Sequence, residues 1–288
     1  MPAPVVAEIV PVLYRRRLVP GAGLPAPALI GGAVIAVLVV IAIFAPFIAP
    51  HDPNAIKLTE SLGPVRAGHL LGQDSSGRDT LSRLVFGTRV SLLGPLLVVL
   101  IATVVGVPLG LLAGYVGGLV DGILARSWDV MFAFPSLLLA IVIVASFGAG
   151  FWTATIAIAI TYVPLMARCV RGFVLVEREK AYVDACKVQG LSGVRVAGAH
   201  VLPNVSALII AQATLFFGYA LLDLAGLAFL GLGVQPPTAD WGAMLTDGRK
   251  FILLSYTEVV AASVVIAVAV VAFNMLGDAL THRLGRSR

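Results

Sequence analysis

Six runs of about twenty apolar residues constrain this 288-residue chain more than any other feature: roughly 28–49, 91–115, 128–148, 152–171, 206–231 and 257–279. A helix needs about 20 apolar residues to cross the hydrocarbon layer. Within that layer every backbone N–H and C=O must be paired inside the segment, so helices are the expected form. Only 12% of the residues are charged, about half the share of a soluble domain. The sequence therefore predicts an all-α, polytopic membrane protein with six transmembrane helices. Pro46, Pro95, Pro108, Pro135 and Pro164 fall inside or at the ends of these spans, where neighbouring helices can accommodate kinks. Arg15, Arg16 and Arg17 precede the first run, as in a signal peptide. The run is longer than the 7–15 residues of a cleaved signal, so it reads as a retained span.

Basic residues set the orientation. With the N-terminus inside, Arg15, Arg16, Arg17, Arg126, Arg168, Arg171, Arg178, Lys180, Lys187, Arg195, Arg283, Arg286 and Arg288 face the cytoplasm, and Lys57, Arg66, Arg78, Arg83, Arg89, Arg249 and Lys250 face out. That division, 13 against 7, places both termini in the cytoplasm. The expected division is a cytoplasmic tail at 1–27, a transmembrane domain at 28–280 and a second tail at 281–288. Outer loops fall at 50–90 and 232–256, with a cytoplasmic loop at 172–205. The net charge of +5 reflects this topology rather than nucleic-acid binding. Cys169 and Cys186 fall on the cytoplasmic side and are expected as free thiols. No CxxC or Cys/His metal spacing occurs.

In the first outer loop, Leu81, Leu84 and Val85 form an apolar stripe, predicting a short interfacial helix capped by Ser75 or Ser76. In the second, Trp241 is suited to the headgroup zone. The most unusual segment is "REKAYVDACKVQGLSGVRVAGAHVLPN", residues 178–204, a polar and basic insert between two spans. Its pattern predicts a helix over 179–189, with Ala181, Ala185 and Val188 on one face and Gly190 ending it. A second helix would run over 193–201, capped by Ser192 and stopped by Pro203. A hairpin this small needs a partner surface or the lipid interface to be stable. Both an ordinary headgroup-bound loop and a docking element for a soluble subunit fit this pattern.

In span five, Gln212, Phe216, Tyr219, Asp223 and Gly226 are spaced 4, 3, 4 and 3 apart and share one face. A carboxylate near the bilayer centre costs about 2.5–3.5 kcal/mol, so Asp223 should face protein or water. It either lines a polar path through the bundle, where it would attract a cationic group, or bonds a neighbouring helix at a subunit interface. The second is the favoured reading. Asp121, Arg126 and Asp129 could form ion pairs at an inner gate, but interfacial snorkelling is the simpler account.

"YVDACKVQG" followed by "HVLPN" resembles the EAA motif of permease subunits in binding-protein-dependent ABC importers. Asp184, Ala185, Cys186, Gly190, Leu202 and Pro203 occupy its places. Asp184 stands for Glu, Cys186 for the second Ala, and His200 at the Ile position. "HLLGQDSSGRDTLSRLVFGTRVSL", "GGLVDGILARSWDVMFAFPSLLLAI" and "FLGLGVQPPTADWGAMLTDGR" are similar to three further segments of the dipeptide/oligopeptide permease family, in its C-type subunit. The resemblance implies a type I ABC importer permease fold in a bacterial inner membrane, with a coupling helix at Tyr182–Pro203 seated in a groove of a cytoplasmic ATPase. It also implies four partners: a second homologous permease, two ATPase subunits and an extracytoplasmic peptide-binding protein. It implies no cofactor on this chain, with ATP and Mg²⁺ on the ATPases. The four lysines, Lys57, Lys180, Lys187 and Lys250, are followed by Leu, Ala, Val and Phe, so no phosphate-binding Lys-Ser/Thr pair exists. A secondary transporter or channel without ATPases is the runner-up, and a membrane scaffold the third possibility.

Overall fold

The computed structural model describes residues 26–286. The predicted N-terminal tail, with Arg15, Arg16 and Arg17, lies almost wholly outside the described residues. Among those described there is no strand, only helices and two isolated bridges, Arg66 with His69 and Gln73 with Asp79.

The helices are α1 (Ala26–Ile48), α2 (Thr80–Val116), α3 (Gly118–Phe132), α4 (Ser136–Phe147), α5 (Phe151–Glu177), α6 (Ala181–Val188), α7 (Gly193–Val196), α8 (Leu202–Phe229), α9 (Trp241–Arg249) and α10 (Thr257–Arg286). Among the described residues, five helical stretches are long and apolar enough to cross a membrane: α1, α2, α5, Gly193–Phe229 and α10. The sixth predicted span, 128–148, is not one helix. It is broken into α3 and α4, whose axes differ by 78°. Pro135 stands at the break with φ −55° and ψ 127°. It lacks an N–H for the helical ladder and pushes the residue before it away from helical geometry. Pro46, Pro95, Pro108 and Pro164 are instead carried inside α1, α2 and α5. The C-terminal segment expected as a tail continues α10 as helix to Arg286.

The central contact is α2 on α5. Gly106, Gly110 and Gly114 recur every four residues, so they share a face of α2. A Cβ at Gly110 would stand 2.4 Å from the Ala167 carbonyl oxygen, and one at Gly106 would stand 2.8 Å from that of Val163. Small residues at this spacing let two membrane helices meet backbone to backbone. Val98, Ile158, Met166, Val170 and Phe216 extend the buried seam between α2, α5 and α8.

The amphipathic segment at Leu81–Val85 is not a separate interfacial helix but the first turns of α2. Its cap is Asp79 rather than Ser75 or Ser76, because the Asp79 carboxylate accepts from the Ser82 backbone N–H at 2.8 Å. Trp241 faces protein and not lipid headgroups. It is fully buried, its indole nitrogen donates to the Leu84 carbonyl at 3.0 Å, and Gly87 leaves room for its ring. Segments 50–79 and 232–256 are knitted together around the start of α2. Buried Arg83 reaches the Pro53 and Pro237 carbonyls, each at 3.3 Å, and lies 3.5 Å from Asp74. Asp74 also accepts from Arg78 Nε at 2.6 Å. Buried charges survive only when paired in this way.

Candidate functional site

At the opposite end of α2 from this loop cluster, α5 runs into the polar insert. α6 ends in a complete Schellman motif. Gly190 takes φ +78°, its N–H donates to the Lys187 carbonyl, and the Leu191 N–H donates to that of Cys186. Only a residue free of Cβ strain occupies that left-handed position cheaply, which is why glycine stands there. Ser192 precedes α7 in extended geometry, but its side chain makes no capping bond.

The predicted second helix does not stop at Pro203. α7 passes through a π-helical turn at Ala197–Val201 into α8, and Gly193–Phe229 is one apolar stretch. Pro203 sits in the first turn of α8. The wider turn before it reroutes the backbone bonds that a proline would otherwise break. His200 lies in that turn, half-buried, and its Nδ1 has no hydrogen-bond partner among the described residues.

The two faces of α6 differ. Val183 and Cys186 are buried against the bundle and Tyr182 is half-buried. Ala181, Ala185 and Val188 face away, with Asp184. Val188 is 89% exposed and Val194, beyond the turn, 87%. The hairpin thus presents an open apolar rim beside the Asp184–Lys187 ion pair at 2.9 Å. The Asp184 carboxylate accepts a bond from the Lys187 ammonium and holds its pKa above the ordinary value.

The base of the hairpin is anchored. Glu177, nearly fully buried, pairs with Lys180 at 3.0 Å and accepts from the Tyr182 hydroxyl at 3.1 Å. Arg178 Nη1 donates to the Gly114 carbonyl at 2.7 Å. The acids of α3 are bonded rather than snorkelling. Asp121 takes a bidentate grip from Arg171 at 2.5 and 2.6 Å, and Asp129 pairs with Arg168. These pairs bind the first half of the broken span to α5. Arg126 is exposed and joins neither.

On α8 the expected stripe divides. Asp223 accepts from the Tyr162 hydroxyl of α5 at 2.8 Å, and Phe216 meets the Tyr162 ring edge-on, centroids 5.5 Å apart. Tyr219 is 50% exposed, and Gln212 and Gly226 are half-buried. Within the described chain, the partner of Asp223 is therefore Tyr162 of α5. Tyr162 is the residue sequence reasoning missed. Its signal was weak, a lone polar tip in span four with no local pattern to pair it with Asp223. Cys169 and Cys186 are both free thiols.

Residues 106–288 match the family model described as binding-protein-dependent transport system inner membrane component. Residues 27–64 match the N-terminal TM domain of oligopeptide transport permease C. The dipeptide transport system permease protein DppC of Alkalihalophilus pseudofirmus is 43% identical over 257 residues, covering 89% of this chain and 84% of its own length. The probable D,D-dipeptide transport system permease protein DdpC of Escherichia coli K12 is 41% identical over 90% of this chain and 87% of its own. The glutathione transport system permease protein GsiD of Pectobacterium atrosepticum is 39% identical over 89% and 86%. Similarity at this level along nearly the whole chain settles the family, and among the described residues it accompanies a helical fold with five helices long and apolar enough to cross a membrane and one broken pair. The chain belongs to the binding-protein-dependent transport system inner membrane components, and it is a multi-pass permease subunit rather than an enzyme.

Proposed function

We propose that this permease forms half of the translocation path of an ATP-driven importer of short peptides, and that the hairpin Tyr182–Pro203 couples it to a cytoplasmic ATPase. The carrying observation is the hairpin's construction. Its inner face is packed and its base is tied to α2 and α5, yet its rim offers Ala181, Ala185, Val188 and Val194 to solvent. Exposed apolar rims on a rigid support are the pattern of a docking element. A hairpin lying on lipid headgroups has no need of so firm a base. Asp184, Ala185 and Gly190 lie at or beside that rim, Cys186 is buried and Leu202 half-buried behind it, and Pro203 is exposed in the first turn of α8.

The assembly we infer contains a second homologous permease, two ATPase subunits and an extracytoplasmic peptide-binding protein. ATP and Mg²⁺ are bound by the ATPases. Residues 28–280 act as one transmembrane domain with both termini and the hairpin in the cytoplasm. Support for that orientation comes from Arg168, Arg171, Arg178, Lys180, Lys187 and Arg195, all on or near the hairpin. The peptide class is supported by the names of the dipeptide-transporting relatives. Asp223, Phe216, Tyr219 and Gln212 would face or brace the path.

The test is co-purification of tagged wild type, Ala185→Arg and Gly190→Arg from gently solubilised membranes. A Cβ at Gly190 meets nothing within 4 Å, so an arginine there adds bulk at the rim, but its φ of +78° also strains the turn; Ala185→Arg, exposed in mid-helix, obstructs a docked partner without that strain. Wild type should bring down an ATPase and a second permease, and both variants should lose the ATPase alone. Full ATPase recovery with both variants would overturn the docking role. Transport by the chain alone with an ion gradient would favour the secondary transporter.

A further inference from the structure

At the opposite end of α2 from the hairpin, three side chains outside the candidate site converge: His51, His69 and Asp79. Each offers a ligand atom within 4.8 Å of those of the other two. They come from separate pieces of chain. His51 follows α1 and is held by its own N–H, which donates to the Ser82 hydroxyl at 3.0 Å. Asp79 caps α2. His69 lies in the loop between them, buried, its ring stacked on that of His51 with centroids 4.6 Å apart.

We propose that His51, His69 and Asp79 bind one divalent transition-metal ion, clamping the end of α1 and the following loop onto the start of α2. Two imidazoles and one carboxylate form a donor set suited to zinc, cobalt, nickel or copper rather than to magnesium or calcium.

The spacings suit such an ion. Ligands about 2.1 Å from a tetrahedral metal stand about 3.4 Å apart. His69 Nδ1 lies 2.8 Å from Asp79 Oδ1, and His51 Nδ1 lies 3.9 Å from Asp79 Oδ2. These distances run to the two different oxygens of Asp79, and all three ligand atoms lie within 4.8 Å of one another, so shifts of about 1 Å would bring them to the spacing of one ion. The ion would replace the proton shared between His69 Nδ1 and Asp79 Oδ1. A ligating imidazole carries its proton on the other nitrogen, here Nε2, which lies 3.9 Å from Glu60 Oε2. That distance is too long for a hydrogen bond, and a shift of about 1 Å would give the carboxylate the position that commonly orients a ligating histidine. Asp79 Oδ2 retains its bonds from the Ser82 N–H and hydroxyl, because a carboxylate has about four acceptor positions. The nearby guanidiniums are engaged elsewhere, Arg66 with Glu60 and both Arg78 and Arg83 with Asp74. The His51 side chain is 39% exposed, which gives an ion entry and leaves a position for water.

The probe is Co²⁺, titrated into the full-length chain in lipid nanodiscs, purified through a tag without histidine and read by ligand-field absorption. Wild type should take up one Co²⁺ per chain, displaced by Zn²⁺. Loss of a supporting partner alone weakens metal sites about 10–100-fold, so His51→Ala should weaken binding by about tenfold or more. His51 is exposed, so this variant keeps its fold where His69→Ala can fail. The remaining histidines, His200 and His282, serve as controls, and their alanine variants should bind as wild type does. No ligand-field band in wild type would overturn the proposal. So would undiminished binding by His51→Ala, or a signal lost with His200→Ala or His282→Ala.

Discussion

Arg178 Nη1 donates to the Gly114 carbonyl at 2.7 Å, across 64 residues of chain, and so joins the last turn of α2 to the root of the hairpin. A carbonyl near a helix end lacks an intrahelical donor and is favourable for a cation. Arg178→Met keeps the apolar stem and removes the tether. It should cost about 1–2 kcal/mol of stability. ATPase co-purification should persist while peptide uptake falls, because the rim is intact and its support is loosened. Uptake in whole cells, measured with thermal unfolding of the purified chain, checks both.

The glycine face of α2 leads to a sharper expectation. A Cβ at Gly110 would press within 2.4 Å of the Ala167 carbonyl and 2.8 Å of the Val170 Cβ. Overpacking of this kind costs about 1–3 kcal/mol or more. Gly110→Val should therefore lower the unfolding temperature and the membrane level of the protein. Gly122→Ala, where a Cβ meets nothing within 4 Å, should leave both unchanged.

Asp223 and Tyr162 distinguish a brace from a binding group. If the pair braces α8 against α5, Asp223→Asn keeps an acceptor for the Tyr162 hydroxyl. Uptake of free and N-blocked peptides should then stay within about twofold of wild type, and Tyr162→Phe should cost about 1 kcal/mol of stability. Selective loss of peptides with a free amino terminus in Asp223→Asn would instead assign substrate attraction to the carboxylate.

Asp240 makes stability depend on pH. Burial pushes its carboxyl above the ordinary range, against the opposing effect of bonds from the Ser91 hydroxyl and the backbone of Ala243 and Gly242. A carboxyl whose folded pKa is raised favours the folded state at low pH, and this contribution is lost as pH rises from the unfolded value of about 3.9 through the folded one. Asn also serves as a helix N-cap. Wild type should therefore lose stability relative to Asp240→Asn as pH is raised above about 4, in parallel thermal melts. A constant difference between the two across that range would contradict the shift.

What was legible in the sequence follows from where each signal resides. Apolar runs announce helices locally, and Gly190 between two short helical patterns announces its turn. The four ordered motifs carried the family. Contacts between distant residues leave no such trace. Nothing near Trp241 shows that its indole bonds Leu84, and nothing near Asp121 or Asp129 shows the arginines of α5. Pro135 and Pro164 look alike as residues, yet one breaks a span and the other rides inside a helix. The face of α6 that packs inward, Val183 and Cys186, is scarcely more apolar than the outward Ala181, Ala185 and Val188. The four-residue spacing of Gly106, Gly110 and Gly114 stands in the sequence, but only the structure shows that it marks the central seam.

The length of α2 has a mechanical meaning. Its 37 residues measure about 56 Å at 1.5 Å per residue, nearly twice the hydrocarbon thickness of about 30 Å. One tip is fastened to the hairpin root by Arg178 and the other to the folded loops by Arg83. A beam of that span tilting by about 5° about one tip sweeps the other through about 5 Å. Small rotations begun on one side of the bilayer would thus arrive on the far side as displacements of atomic-contact size, with no intermediate part needed to relay them.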